Sequence, residues 1–195
     1  MIAGHFGFAA AVKSRARAVP LWALMLATVW MDVLFVPLYA VGIEPIDPVP
    51  GTQGGYGDVI IHADYTHSVV GALVIAATFG LVTAIPWGKR AGAVLGGVVF
   101  SHWLLDLPMH RADMPLWPGA PSTSPRLGFG LWRSPVASLS VELVLVLVGA
   151  FLYWRAAVAT AEGAGSGPLV RRAHLTAGVL LASGLVTLVL NAMGQ

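Results

Sequence analysis

No cysteine occurs in the 195-residue chain. Its absence excludes disulfides, Cys-ligated zinc and iron–sulfur clusters. Charge is scarce as well: 10% of residues are charged, against about 25% in an ordinary soluble domain. That is too little polar surface to cover a globule in water, so a soluble enzyme, a disordered protein and a nucleic-acid binder are excluded. The sequence pI of about 9.3 comes from 11 Lys and Arg against 9 Asp and Glu, a net charge of +2, and not from a basic patch. Internal repeats are lacking too. What the chain has is apolar length, with 57% hydrophobic residues and a mean hydropathy of +0.79. It reads as a single integral membrane domain over residues 1–195, an all-α polytopic helix bundle in a lipid bilayer.

A membrane helix needs about 20 mostly apolar residues. The pattern predicts five spans, over 20–43, 65–87, 91–107, 136–154 and 173–193. The third is short, carries Gly96-Gly97, and stops at Pro108. Residues 1–12 are apolar but too short to span, and lack the basic flank and cleavage site of a signal peptide. With its basic flank to residue 19, this segment reads as an interfacial or re-entrant half-helix. Eight basic residues fall on one side: Lys13, Arg15, Arg17, Lys89, Arg90, Arg155, Arg171 and Arg172. Arg111, Arg126 and Arg133 fall on the other. The positive-inside rule then predicts a cytoplasmic N-terminus and an outer C-terminus. The two long outer loops are 44–64 and 108–135, and a Gly-rich linker covers 162–168. Trp22, Trp87 and Trp154 inside, with Trp117 and Trp132 outside, read as interfacial anchors.

Three carboxylates lie within the spans, Asp32, Asp106 and Glu142, with no Lys or Arg in any span to pair them. An Asp at the bilayer centre costs about 2.5–3.5 kcal/mol on insertion scales, so each marks a candidate site. Counted from the basic flanks at about 1.5 Å per residue, Asp32, His102, Asp106 and Glu142 reach a common depth of roughly 18–24 Å. His67 lies near the same level. His5 lies about 12 Å deep if the N-terminal segment dips in from Lys13.

His102 and Asp106 stand four residues apart, on one helical face. An imidazole and a carboxylate there suit one divalent metal, zinc first, or a plain hydrogen bond. With Asp32 and His67 at similar depth, a metal set of Asp32, His67, His102 and Asp106 is expected, because desolvated carboxylates need a counter-charge. His67 is expected inside the second helix, while His62 is a ligand candidate or a solvated loop histidine. His110 supports the ligands or sits on the loop surface, and His174 is interfacial. Glu142 reads as a ligand, a general base, an acceptor for a ligand histidine, or a protonated acid bonded to a neighbouring helix. Glu142 or Asp64 could take a proton from a metal-bound water, and Arg111, Arg126 or Arg133 could hold an anionic head group.

Taken in order, Gly4-His5, Asp32, the His62–Ser68 stretch with its Thr66-His67-Ser68, and His102-x-x-Leu105-Asp106 resemble a known family. It is the YdjM-like membrane-bound metal-dependent hydrolases, also described as LexA-binding, inner-membrane-associated hydrolases. The resemblance covers residues 1–110, with the fourth span included. It departs where the family shows His-Arg-Gly and this chain has His62-Ala63-Asp64, and where paired aspartates are replaced by Met31-Asp32. In ligand order the family is similar to zinc-dependent phospholipase C and the single-strand-specific zinc nucleases. Carried over, His5, Asp32, His67, His102, Asp106 and Glu142 match, and Ser138 stands where a last histidine would be. The resemblance implies a bacterial cytoplasmic membrane protein that hydrolyses a phosphoester, of an amphiphilic substrate if it enters from the lipid. Two readings from other classes remain. One is a non-catalytic membrane subunit that docks a partner around a structural metal or polar site. The other is haem or quinone binding through His67 and His102.

Overall fold

The computed structural model describes residues 1–52 and 54–194; Gln53, in the first outer loop, and the terminal Gln195 lie outside the described residues. Seven helices follow in order: α1 Ile2–Lys13, α2 Leu21–Thr28, α3 Trp30–Ala40, α4 Val69–Trp87, α5 Lys89–Asp106, α6 Pro135–Gly163 and α7 Gly167–Met193. The two long loops expected outside fold into two small antiparallel hairpins, β1 Ile46–Pro48 with β2 Val59–Ile61, and β3 Met114–Pro115 with β4 Arg126–Leu127.

Three helices are long and apolar enough to cross a membrane: α4, α6 and α7. The bent pair α2 and α3 makes a fourth if counted as one span. This corrects the expectation of five. The difference is α5, which begins at Lys89-Arg90 and ends with His102 and Asp106. Its residues Gly92, Leu95, Val98, Val99, Ser101, His102, Trp103 and Asp106 are buried. A helix enclosed by protein faces no lipid over most of its surface and so need not be apolar throughout.

The expected first span is not one rod. It breaks at Val29, and α2 and α3 meet at 46°. A side chain inserted into the helical hydrogen-bond ladder is a recognised cause of such a kink. Here His102 Nδ1 takes the Thr28 carbonyl, at 2.7 Å. The second helix starts at Val69, later than expected. Ser68 caps it, its Oγ accepting from the Gly71 N–H at 3.0 Å. His67 therefore sits on the turn before the helix and not inside it. The Gly-rich linker shrinks to 164–166, because α6 and α7 extend into it.

The N-terminal segment, expected as an interfacial or re-entrant half-helix, packs into the bundle. Ala3, Gly4, His5, Gly7, Ala9 and Ala10 of α1 are buried. Two pairs of helices approach almost backbone to backbone, through glycine. A Cβ at Gly149 of α6 would overlap the Gly7 carbonyl oxygen of α1, and one at Gly92 of α5 would overlap the Gly80 carbonyl oxygen of α4. Without a hydrophobic effect between helices in lipid, such small-residue contacts supply much of the packing.

The helices share two ends. At one end α4 turns into α5 at Gly88, α6 turns into α7, and Trp22 meets Trp87 edge-on at 5.6 Å between centroids. The basic residues expected inside gather there. At the other end lie the hairpins, with Arg111 on Asp58 at 3.2 Å and Arg126 on Asp64 at 2.7 Å. Trp132, expected as an interfacial anchor, is instead buried and packs on His110 at 4.4 Å between centroids.

Replacing Gly149 with Ala should lower the thermal midpoint of the purified protein in detergent, by about 1–3 kcal/mol of overpacking cost. Gly178→Ala, where nothing lies within 4 Å of the new Cβ, should leave the midpoint unchanged. Equal midpoints for both variants would show that the α1–α6 contact does not limit stability.

A candidate metal centre

Four atoms converge from three parts of the chain: Asp32 Oδ1 in the first turn of α3, His67 Nε2 on the turn before α4, and His102 Nε2 and Asp106 Oδ2 on α5. His67 Nε2 stands 3.2 Å from His102 Nε2, 3.7 Å from Asp32 Oδ1 and 4.0 Å from Asp106 Oδ2. His102 Nε2 stands 3.4 Å from Asp32 Oδ1 and 3.0 Å from Asp106 Oδ2. Nitrogen and oxygen ligands of a tetrahedral zinc lie about 2.0–2.2 Å from the ion, which puts them about 3.3–3.5 Å from one another. The five distances bracket that spacing. Two overlapping groups, Asp32 with His67 and His102, and His5 with His102 and Asp106, keep their ligand atoms within 4.8 Å of one another.

The protonation pattern makes the case stronger than proximity does. The carbonyl oxygen that His102 Nδ1 faces can only accept, so Nδ1 carries a proton, and in the neutral ring Nε2 then presents a lone pair. His67 is set the same way by a longer relay. Its Nδ1 lies 2.9 Å from Thr66 Oγ1, and the Thr66 hydroxyl donates to Glu44 Oε2 at 2.8 Å. With that hydroxyl proton committed, Thr66 accepts from Nδ1, and His67 Nε2 is again a lone pair. The His67 Nε2 and the carboxylate oxygens of Asp32 and Asp106 thus gather around His102 Nε2. Two carboxylates gathered there need positive charge among them, which a protonated His102 or a bound metal ion would supply. The residues present therefore fit a divalent metal.

The shell around these atoms is built to hold them still. Glu44 is fully buried and also accepts from the backbone N–H groups of Tyr65 and Thr66, at 2.6 and 2.9 Å. The Trp103 indole donates to the His67 carbonyl at 2.9 Å. Thr28 joins three helices, its hydroxyl donating to the His5 carbonyl at 3.1 Å while its own carbonyl serves His102. The His5 ring stacks on that of His102 at 3.9 Å between centroids, and His5 Nε2 lies 3.1 Å from Asp106 Oδ1. His5 thus reaches the centre, as expected, through the outer oxygen of a shared carboxylate.

The other expected residues divide. His110 supports the centre: its Nδ1 meets Asp113 Oδ1 at 2.9 Å and its Nε2 lies 3.9 Å from Asp106 Oδ2. Glu142 is fully buried but is engaged elsewhere. It accepts from the Gly4 N–H at 3.1 Å and from the Tyr56 hydroxyl at 2.6 Å. Gly4 lies in the first turn of α1, where backbone N–H groups lack helical partners. Glu142 supplies the cap that α1 does not carry itself, favoured further by the helix dipole. Burial and then this hydrogen bond hold the Tyr56 phenol above its ordinary pKa, so it stays a donor. Ser138 bonds back to the Pro135 carbonyl of its own helix.

Asp64 is clasped by both terminal nitrogens of Arg126, at 2.7 and 3.4 Å. Arg111 donates to the Gly57 carbonyl as well as to Asp58. His62 pairs with Asp47 on an exposed hairpin. These residues brace the outer loops rather than join the cluster. His174 accepts from the Trp154 indole at 2.9 Å, at a surface position.

Residues that the sequence reading passed over are Glu44, Thr28 and Asp113. A hidden Glu in a loop was the one available signal, and only the fold shows Glu44 to be buried. Comparison of the chain with protein-family models, curated proteins and solved structures finds no match.

Elemental analysis should find about one equivalent of a divalent metal in the purified protein and none in His102→Ala or Asp106→Ala. Thr66→Val should keep the fold and weaken metal affinity about 10–100-fold in a chelator competition titration. Unchanged affinity in Thr66→Val would mean that the Glu44 relay does not orient His67.

Proposed function

We propose that this protein is a membrane-embedded metal-dependent hydrolase that cleaves a phosphoester or related ester of an amphiphilic substrate. The observation that carries the reading is the convergence of four lone-pair atoms whose outer nitrogens are already committed. Asp32, His67, His102 and Asp106 would hold the ion, zinc by their nitrogen and oxygen donor set, with His5 steadying Asp106. A bound zinc lowers the pKa of a coordinated water towards about 7 and polarises the ester.

The chain's own residues supply the rest. His110 is tied through Nδ1 to Asp113, and its Nε2 is left free beside Asp106. It is the group placed to accept a proton, in preference to Glu142 and Asp64, whose carboxylates are engaged. Access is from one side. The side chain of Asp32 is 38% exposed, whereas those of His67, His102 and Asp106 are 4% or less. Asp32 lies on α3, whose Val33, Val36 and Tyr39 are exposed. An apolar approach to a charged centre suits a substrate with a lipid-like tail and a polar head.

Support for the YdjM-like kinship is the motif order alone, and of the motif residues His5, Asp32, His67, His102 and Asp106 lie at the cluster while His62 does not. The gathering of basic residues at the opposite end supports an orientation with that end cytoplasmic and the centre towards the outer leaflet of a bacterial cytoplasmic membrane. The alternative, a non-catalytic subunit with a structural metal site, is favoured by the near-complete burial of the cluster.

The two readings separate in one assay. The purified, metal-loaded protein is offered a panel of lipid phosphoesters. Hydrolysis abolished by chelation and restored by zinc is the expected result. His110→Gln should retain its metal and lose about 10²–10⁴-fold in turnover. Stoichiometric metal with no hydrolysis of any phosphoester would replace the hydrolase with the structural site.

A further inference from the structure

One cavity lies away from the metal centre. It has a volume of about 640 Å³ and opens at the basic end, where the corner between α1 and α2 meets the last turns of α6 and the first of α7. Three cations line it, Lys13, Arg17 and Arg172, beside an apolar wall that includes Leu21, Trp22 and Ala157. Among the described residues, no carboxylate lies within ion-pair distance of these cations.

Lys13 is not a loose surface lysine. Its Nζ donates to the Arg17 and Val19 carbonyls, both at 2.7 Å, which fixes the ammonium at the cavity's edge. An ammonium has three donors, so one remains for a ligand. Arg17 and Arg172 come from the α1–α2 connection and from α7, elements far apart in sequence. The fold has therefore brought uncompensated positive charge from separate segments to the mouth of one apolar chamber. Only an amphiphile with an anionic head satisfies both halves. Lys13 lies eight residues along α1 from His5, about 12 Å at the helical rise, so the chamber is separate from the metal centre.

We propose that this cavity is a binding site for an anionic phospholipid of the surrounding leaflet. The phosphate lies among Lys13, Arg17 and Arg172, and an acyl chain runs along Leu21, Trp22 and the alanine-lined wall of α6. Basic pockets between membrane helices hold anionic head groups on the same electrostatic grounds. The proposal does not depend on the reaction at the metal centre.

The test uses the full chain in nanodiscs of mixed phosphatidylglycerol and phosphatidylcholine, followed by gentle extraction and native mass spectrometry. Phosphatidylglycerol should be retained in preference to phosphatidylcholine. The double variant Arg17→Gln with Arg172→Gln, both side chains exposed, should lose about tenfold or more of that preference. Ala157→Leu keeps every charge and narrows the chamber; it should lower retention of the lipid at unchanged metal content. Equal retention of the two lipids would overturn the proposal, as would an undiminished preference in the double variant. Displacement of the lipid by millimolar inorganic phosphate would show a free-anion site instead. An acidic protein segment co-purifying there, in place of lipid, would also overturn it.

Discussion

The need for positive charge among the clustered Asp32, His67, His102 and Asp106 is the constraint on which the rest of this structure depends. The Asp32 and Asp106 carboxylates beside His67 and His102 would push one another apart unless a metal ion or an imidazolium proton lay among them. The protein nonetheless spends buried hydrogen bonds to keep them together. Thr28 and the Glu44–Thr66 pair each use an acceptor to commit the far nitrogen of an imidazole, so that the near one can only present electrons. Neither arrangement would benefit an apolar core.

Much of the architecture follows from that need. α2 and α3 are separate helices because the Thr28 carbonyl leaves the ladder for His102. α5 is the enclosed helix because it carries two members of the cluster. α1 lies inside the bundle because His5 must stack on His102, and close approach at Gly7 and Gly149 lets it in. Glu142, the most conspicuous charge of α6, then serves the first turn of α1 and not the His–Asp cluster. The polar loops complete the outer side, where Asp113 orients His110 and Arg126 ties Asp64 to the second hairpin.

The set of Asp32, His67, His102 and Asp106 was legible because charge in this chain is scarce. Each of these residues stood out against an apolar or basic-poor background, and counting residues from the basic flanks put them at one depth. The spacing of His102 and Asp106 needed only the helical period. For Glu142 the same logic left several roles open, one of them a bond to a neighbouring helix. Depth along a bundle says nothing about azimuth, and Glu142 at the right level faces α1. Span counting failed at α5 for a related reason. Apolar content measures contact with lipid, and α5 is wrapped mostly by protein.

By itself the sequence determined the helical class, the membrane setting and the residues bearing the candidate chemistry, since these depend on composition, on runs of apolar residues and on short-range periodicity. Only the tertiary structure decided which nitrogen of each histidine faces inward, that Glu44 rather than Asp64 or Glu142 stands behind the centre, and that Lys13, Arg17 and Arg172 surround one chamber. Those outcomes depend on groups separated by tens of residues meeting at hydrogen-bond distance. Directions of that kind belong to packed helices, and no local pattern in the chain encodes them.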